Sequence, residues 1–135
     1  MSTKKKLIEA TMFTRQGIYS DIDYTQDLVR LRWTLDMYML KQKTPITKEL
    51  LAKNGFEVLT PRVALPFQTW RIKENHNFWF DEYEEDRNYL DDVNFGKVDK
   101  GAFLIHLTSV RAELKTVADL EDALDLCGID KDIEI

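Results

Sequence analysis

The chain has 135 residues, 44% of them hydrophobic and 32% charged, and carries a formal net charge of −5. That length suits a single domain over residues 1–135 with its own core, and the balance excludes a disordered or low-complexity chain. No apolar run approaches the ~20 residues that span a bilayer, the basic start Met1–Lys6 has no apolar segment behind it, and the lone Cys127 rules out an internal disulfide framework, so a cytoplasmic setting is expected.

Residues 7–14 and 28–33 alternate and hold β-branched or aromatic side chains, which predicts a strand-rich N-terminal part over residues 1–43. The run Leu35–Leu40 fits either an extension of that sheet or a helical turn. A short helix follows. Thr47 is placed to cap it, Ile46 and Leu51 are spaced as a hydrophobic staple, and Gly55 supplies the left-handed residue that ends it, with Phe56 beyond. Three strands are predicted next, at Thr69–Glu74, Asn77–Tyr83 and Ala102–Val110, the last nearly continuous in apolar residues and so expected to be central. A second helix starts after Thr116, carries Asp119 at its third position and a Val117, Leu120, Leu124 stripe, and ends at Gly128. Asp132–Ile135 fits a short final strand or a frayed tail. The order over residues 44–135 is helix, three-strand meander, C-terminal helix. The fold class expected is α+β, a small antiparallel sheet with two short capped helices packed on one face.

The box Thr44–Phe56, the aromatic strands and the helix Val117–Cys127 with its acidic-apolar tail resemble small uncharacterised proteins of gut bacteria and their phages or mobile elements. The resemblance covers residues 44–135; Ala118 and Glu121 stand where those proteins usually have His and Gln. It implies a fold and a mobile-element setting, and no assigned activity.

Charge is distributed unevenly: residues 1–73 hold 13 Lys/Arg against 7 Asp/Glu, and residues 74–135 hold 6 against 17. Either the two parts attract each other, or the acidic one meets a basic partner, in the sharper version by imitating nucleic-acid charge. The densest carboxylates are Asp81, Glu82, Glu84, Glu85 and Asp86, followed by Asp91 and Asp92. They could support metal-dependent hydrolysis through Asp81, Glu82, Glu84, Asp91 and Asp92. Yet the spacing fails for a calcium loop, since Lys97 stands where the turn needs glycine. His76, His106 and Cys127 lack the close-spaced pairs of a zinc site. A Cys127–His106 nucleophilic pair is weaker than the plain reading of two packing residues. Single-strand nucleic-acid binding through Lys4, Lys5, Lys6, Arg30 and Arg32 is the other alternative, but Phe67, Trp70, Phe78, Trp79, Phe80 and Tyr83 run into the acidic segment rather than a positive groove.

Consecutive Phe78, Trp79 and Phe80 must point to opposite sheet faces, so at least one large ring faces away from the core, unless the N-terminal segment covers it. An exposed aromatic beside a carboxylate rim has the form of an interface anchor. The expected function is thus a non-enzymatic protein-interaction module with no cofactor and no metal. Its partner would be another protein, met through Trp79, Tyr83 and the acidic residues Asp81, Glu82, Glu84, Glu85, Asp86, Asp91 and Asp92.

Overall fold

A computed structural model describes residues 1–20, 23–59, 67–88, 97–107 and 110–135. Its helices are α1 (Thr3–Tyr19), α2 (Thr25–Lys43), α3 (Lys48–Lys53) and α4 (Val117–Leu126). Its strands are β1 (Phe56–Leu59), β2 (Phe67–Ile72), β3 (Asn75–Tyr83), β4 (Arg87–Asn88), β5 (Lys97–Val98), β6 (Phe103–Leu107) and β7 (Val110–Leu114). The fold is α+β, with a five-stranded antiparallel sheet. Two compact units are formed: residues 1–45 with 116–133 and 135, and residues 46–115 with Glu134.

The first unit overturns the expectation of N-terminal strands, because residues 3–19 and 25–43 are helical. Ser2 caps α1 by accepting from the Lys5 amide at 3.3 Å. The threonines that lend these segments a β-like composition are accommodated inside the helices. Thr11, Thr14 and Thr34 each donate to the carbonyl four residues back, at 2.7 to 2.9 Å, which satisfies the hydroxyl without leaving the helix. The apparent alternation in Leu28–Trp33 arises because α2 is apolar on several of its faces, so adjacent apolar residues belong to different helical rows.

α1 and α2 pair closely. A Cβ on Gly17 would fall 2.7 Å from the Tyr24 Cβ, so only glycine permits this approach. Across the pair, Arg30 donates to Glu9 at 3.1 Å and lies over the Phe13 ring at 5.7 Å. α4 begins with a full capping box between Thr116 and Asp119. It ends at Gly128, where the Gly128 and Ile129 amides reach back to the Asp125 and Leu124 carbonyls at 3.0 and 2.9 Å, the paired bonds of a Schellman ending.

Lys41 is the largest group enclosed in this unit, at 2% exposure. Its ammonium donates to Thr3 Oγ1 at 2.6 Å, lies 3.2 Å from Glu121 Oε2, and pairs with Asp132. Glu121 in turn accepts from the Thr3 amide at 2.9 Å, and Lys6 also pairs with Asp132. Burial opposes the Asp132 charge, but hydrogen bonds from Lys41 and Lys6 outweigh it and hold the carboxyl below its ordinary range. Asp130 accepts from the Ser2 amide at 2.7 Å. Within this unit the lopsided charge of the sequence is therefore spent on internal pairing, basic groups of α1 and α2 against acidic groups of α4 and the tail.

The tail is neither a strand nor frayed. Ile133 is fully buried. In the second unit, the Asn54 side chain exchanges two 2.8 Å hydrogen bonds with the Glu134 backbone.

The sheet of the second unit runs in the order β1-β2-β3-β6-β7. α3 is capped by Thr47, whose hydroxyl accepts from the Leu50 amide at 3.1 Å, and it lies against β1. The stretch expected as one strand over Ala102–Val110 is two: β6 ends at Leu107 and β7 starts at Val110, paired back on it. β6 is interior, but the middle strand is β3, which is longer and pairs on both edges. One face of the sheet is aromatic and closed. Phe56, Trp70, Ile72, Phe78, Phe80 and Phe103 are buried there, with edge-to-face ring pairs at 5.7 to 6.5 Å, the arrangement that ring quadrupoles favour.

Candidate functional site

The opposite face of the sheet divides into two parts. Near the end of β3, Tyr83, Val98 and Leu104 form a small buried cluster with Phe67 and Ala102 packed on it. Further along β3 the face opens into a groove of about 610 Å³, lined by Leu59, Phe67, Thr69, His76, Trp79, Asp81 and His106. That volume lies within the ~300–1,000 Å³ of ordinary ligand pockets.

Register explains why these residues meet. Thr69 pairs with Asp81 across β2 and β3, and Asp81 pairs with Leu104 across β3 and β6. With side chains alternating along each strand, Thr69, Trp79, Asp81 and His106 must share the face opposite Phe78 and Phe80. Trp79 remains 44% exposed, and its ring lies 6.4 Å from the His106 ring at a 34° tilt.

Asp81 sits at the floor of the groove, only 4% exposed. Thr69 Oγ1 donates to its Oδ1 at 2.8 Å, and His106 Nε2 stands 3.6 Å from its Oδ2. Burial pushes the Asp81 carboxyl above its ordinary range, against the opposing Thr69 hydrogen bond and the His106 ring. The Asp81 carboxylate is thus removed from water, with Thr69 at one oxygen, His106 near the other and an exposed indole two residues along the strand.

The other acidic residues expected here are distributed differently. Glu82 points to the closed face, accepts from Trp70 Nε1 at 3.2 Å and pairs with Lys48 at 3.5 Å. Glu84, Glu85 and Asp86 are exposed where β3 ends, and Asp86 holds the Lys100 amide at 2.7 Å. Tyr83 is buried against Phe67, with ring centroids 5.6 Å apart, so it is a packing residue rather than part of an exposed surface. Asp91 and Asp92 lie outside the described residues. Among the described residues no three His, Cys, Asp or Glu side chains come together as a metal site would require. Cys127, expected to pack, is exposed at the end of α4.

Trp79 and Asp81 are legible in the sequence, but Thr69 and His106 as their neighbours are not. The alternation of β3 makes the first two visible, whereas the β3–β6 pairing spans more than twenty residues and leaves no local signal. No known family model, curated protein or solved structure matches the chain. Among the described residues no helix is long and apolar enough to cross a membrane.

Proposed function

We propose that the chain is a non-enzymatic binding module whose open sheet face receives a basic side chain of a partner protein. The observation that carries this reading is Trp79 standing exposed beside the buried Asp81 carboxylate. The indole face would hold the cation by cation–π attraction, worth roughly 0.5–2 kcal/mol depending on desolvation. Asp81 would supply the counter-charge, and Leu59 and Phe67 would cover the aliphatic stem. The exposed Glu84, Glu85 and Asp86 at the strand end add a field that attracts a basic segment without fixing its orientation.

Imitation of nucleic-acid charge draws less support, because Glu82, Glu121, Asp130 and Asp132 are engaged by groups of the chain itself. A cytoplasmic, phage or mobile-element setting belongs to the same proposal; it rests on cysteine usage and on the resemblance of residues 44–135, and gene neighbourhood tests it.

The test is a capture experiment from the native host with wild-type and Trp79→Ala chains across a salt series. The reading expects one protein with a basic surface that is retained by the wild type, lost with Trp79→Ala and weakened as salt rises. Equal capture by both chains, independent of salt, would contradict it.

A further inference from the structure

The exposed side of α2 carries an unusual load of apolar residues. One row consists of Leu28, Leu35 and Met39, another of Val29, Trp33 and Leu40, and all six are exposed, Trp33 at 65%. The rows flank a polar ridge where Arg32 and Asp36 pair at 3.4 Å. The inward side, with Thr34 and Lys41, is already buried. A helix apolar on most of its circumference is ordinarily enclosed. Six half-exposed side chains of this size offer apolar area on the order of 500 Å², and the ridge brings the surface near the ~800 Å² that one partner contributes to a stable interface.

The spacing of these residues selects the occupant. Leu28, Leu35 and Met39 are centred on the level of Thr34, and so are Val29, Trp33 and Leu40. Arg32 and Asp36 stand two residues either side of that same level. We infer that α2 is the interface with a second copy of this chain, packed antiparallel about a two-fold axis at the level of Thr34.

Such an axis returns each apolar row onto its own image, as an isologous interface requires. Leu28 of one copy meets Met39 of the other, Val29 meets Leu40, and the reverse contacts follow by symmetry. Arg32 of each copy faces Asp36 of the other, so the ridge becomes a four-charge array of alternating sign. A parallel pairing would instead set Arg32 against Arg32.

Sedimentation or light scattering of the full chain tests this inference. The wild type should show a mass near twice 15.9 kDa, and Trp33→Glu should weaken the dimer about tenfold or more with its circular dichroism unchanged. Arg32→Asp alone and Asp36→Arg alone should each dissociate, because every ridge charge then has one sign. The two variants mixed should associate again. A wild-type monomer at all concentrations would hand this surface to another occupant and overturn the inference, as would single-charge variants that dimerise as tightly as the wild type.

Discussion

Lys41 and Glu121 stand 3.2 Å apart with almost no solvent on either side chain, in a network that also ties down Thr3 and Asp132. Removing one member of a buried pair strands the other charge. Lys41→Met should therefore lower stability by about 3–5 kcal/mol, read as a shift of the urea midpoint. Adding Glu121→Gln, which keeps an acceptor for the Thr3 amide, should recover most of the loss. A Lys41→Met chain as stable as wild type would show that this network does not stabilise the fold.

Two carboxylates should respond to acid in opposite senses. The folded Asp132 carboxyl is held below its unfolded value of 3.8. Its contribution is thus fully present above pH 3.8 and lost as pH falls through the lower folded value. Asp81 is raised above 3.8 by burial, so its charged form opposes folding at neutral pH, and that cost disappears as the group takes up a proton. Urea titrations from pH 2 to 7 should show Asp132→Asn less stable at neutral pH and converging with wild type in acid. Asp81→Asn should be as stable as wild type or slightly more so at neutral pH.

Adjacent aromatic residues on β3 should separate stability from binding. Phe80 is fully buried, 5.8 and 5.7 Å from the Phe56 and Phe103 rings. Phe80→Ala should cost about 3–5 kcal/mol. Trp79→Ala should stay within about 1 kcal/mol of wild type, since nearly half of that ring already faces solvent. Thermal melts of the two variants check both statements.

The cap of α4 gives a smaller and more local prediction. Thr116 accepts from the Asp119 amide at 3.3 Å, and Asp119 Oδ2 accepts from the Thr116 amide at 3.1 Å. Thr116→Ala should cost about 1 kcal/mol, measured by chemical denaturation.

The parts of the fold that were legible are those written in local grammar. Thr47 and Thr116 mark helix starts, Gly55 and Gly128 mark helix ends, and each glycine adopts the positive φ that this role requires. The alternation Phe78, Trp79, Phe80 placed neighbouring rings on opposite faces but left open whether Trp79 is covered; it stands exposed. Residues 1–43 misled because α2 is apolar on three sides, and a helix of that kind reads over six residues as an alternating strand. The threonines added to the error, since nothing local reveals that their hydroxyls return to the i−4 carbonyl. The groove was half legible for a different reason. Trp79 and Asp81 are neighbours by strand geometry, but Thr69 and His106 arrive through register, which depends on the whole sheet. The uneven charge was visible too, yet its internal use in the Lys41 network depends on bringing residues 3, 41, 121 and 132 together.

On the proposed function, the open face takes a cation between Trp79 and Asp81. This is tested most directly by titrating the chain with N-acetyl-arginine methylamide while following the side-chain N–H signals of Trp33, Trp70 and Trp79 by NMR. The expected result is a saturable shift of the Trp79 signal, with the Trp33 and Trp70 signals unmoved and the response abolished in Asp81→Asn. A Trp79 signal that stays fixed, or one that shifts equally in Asp81→Asn, would show that no cation is held between these two residues.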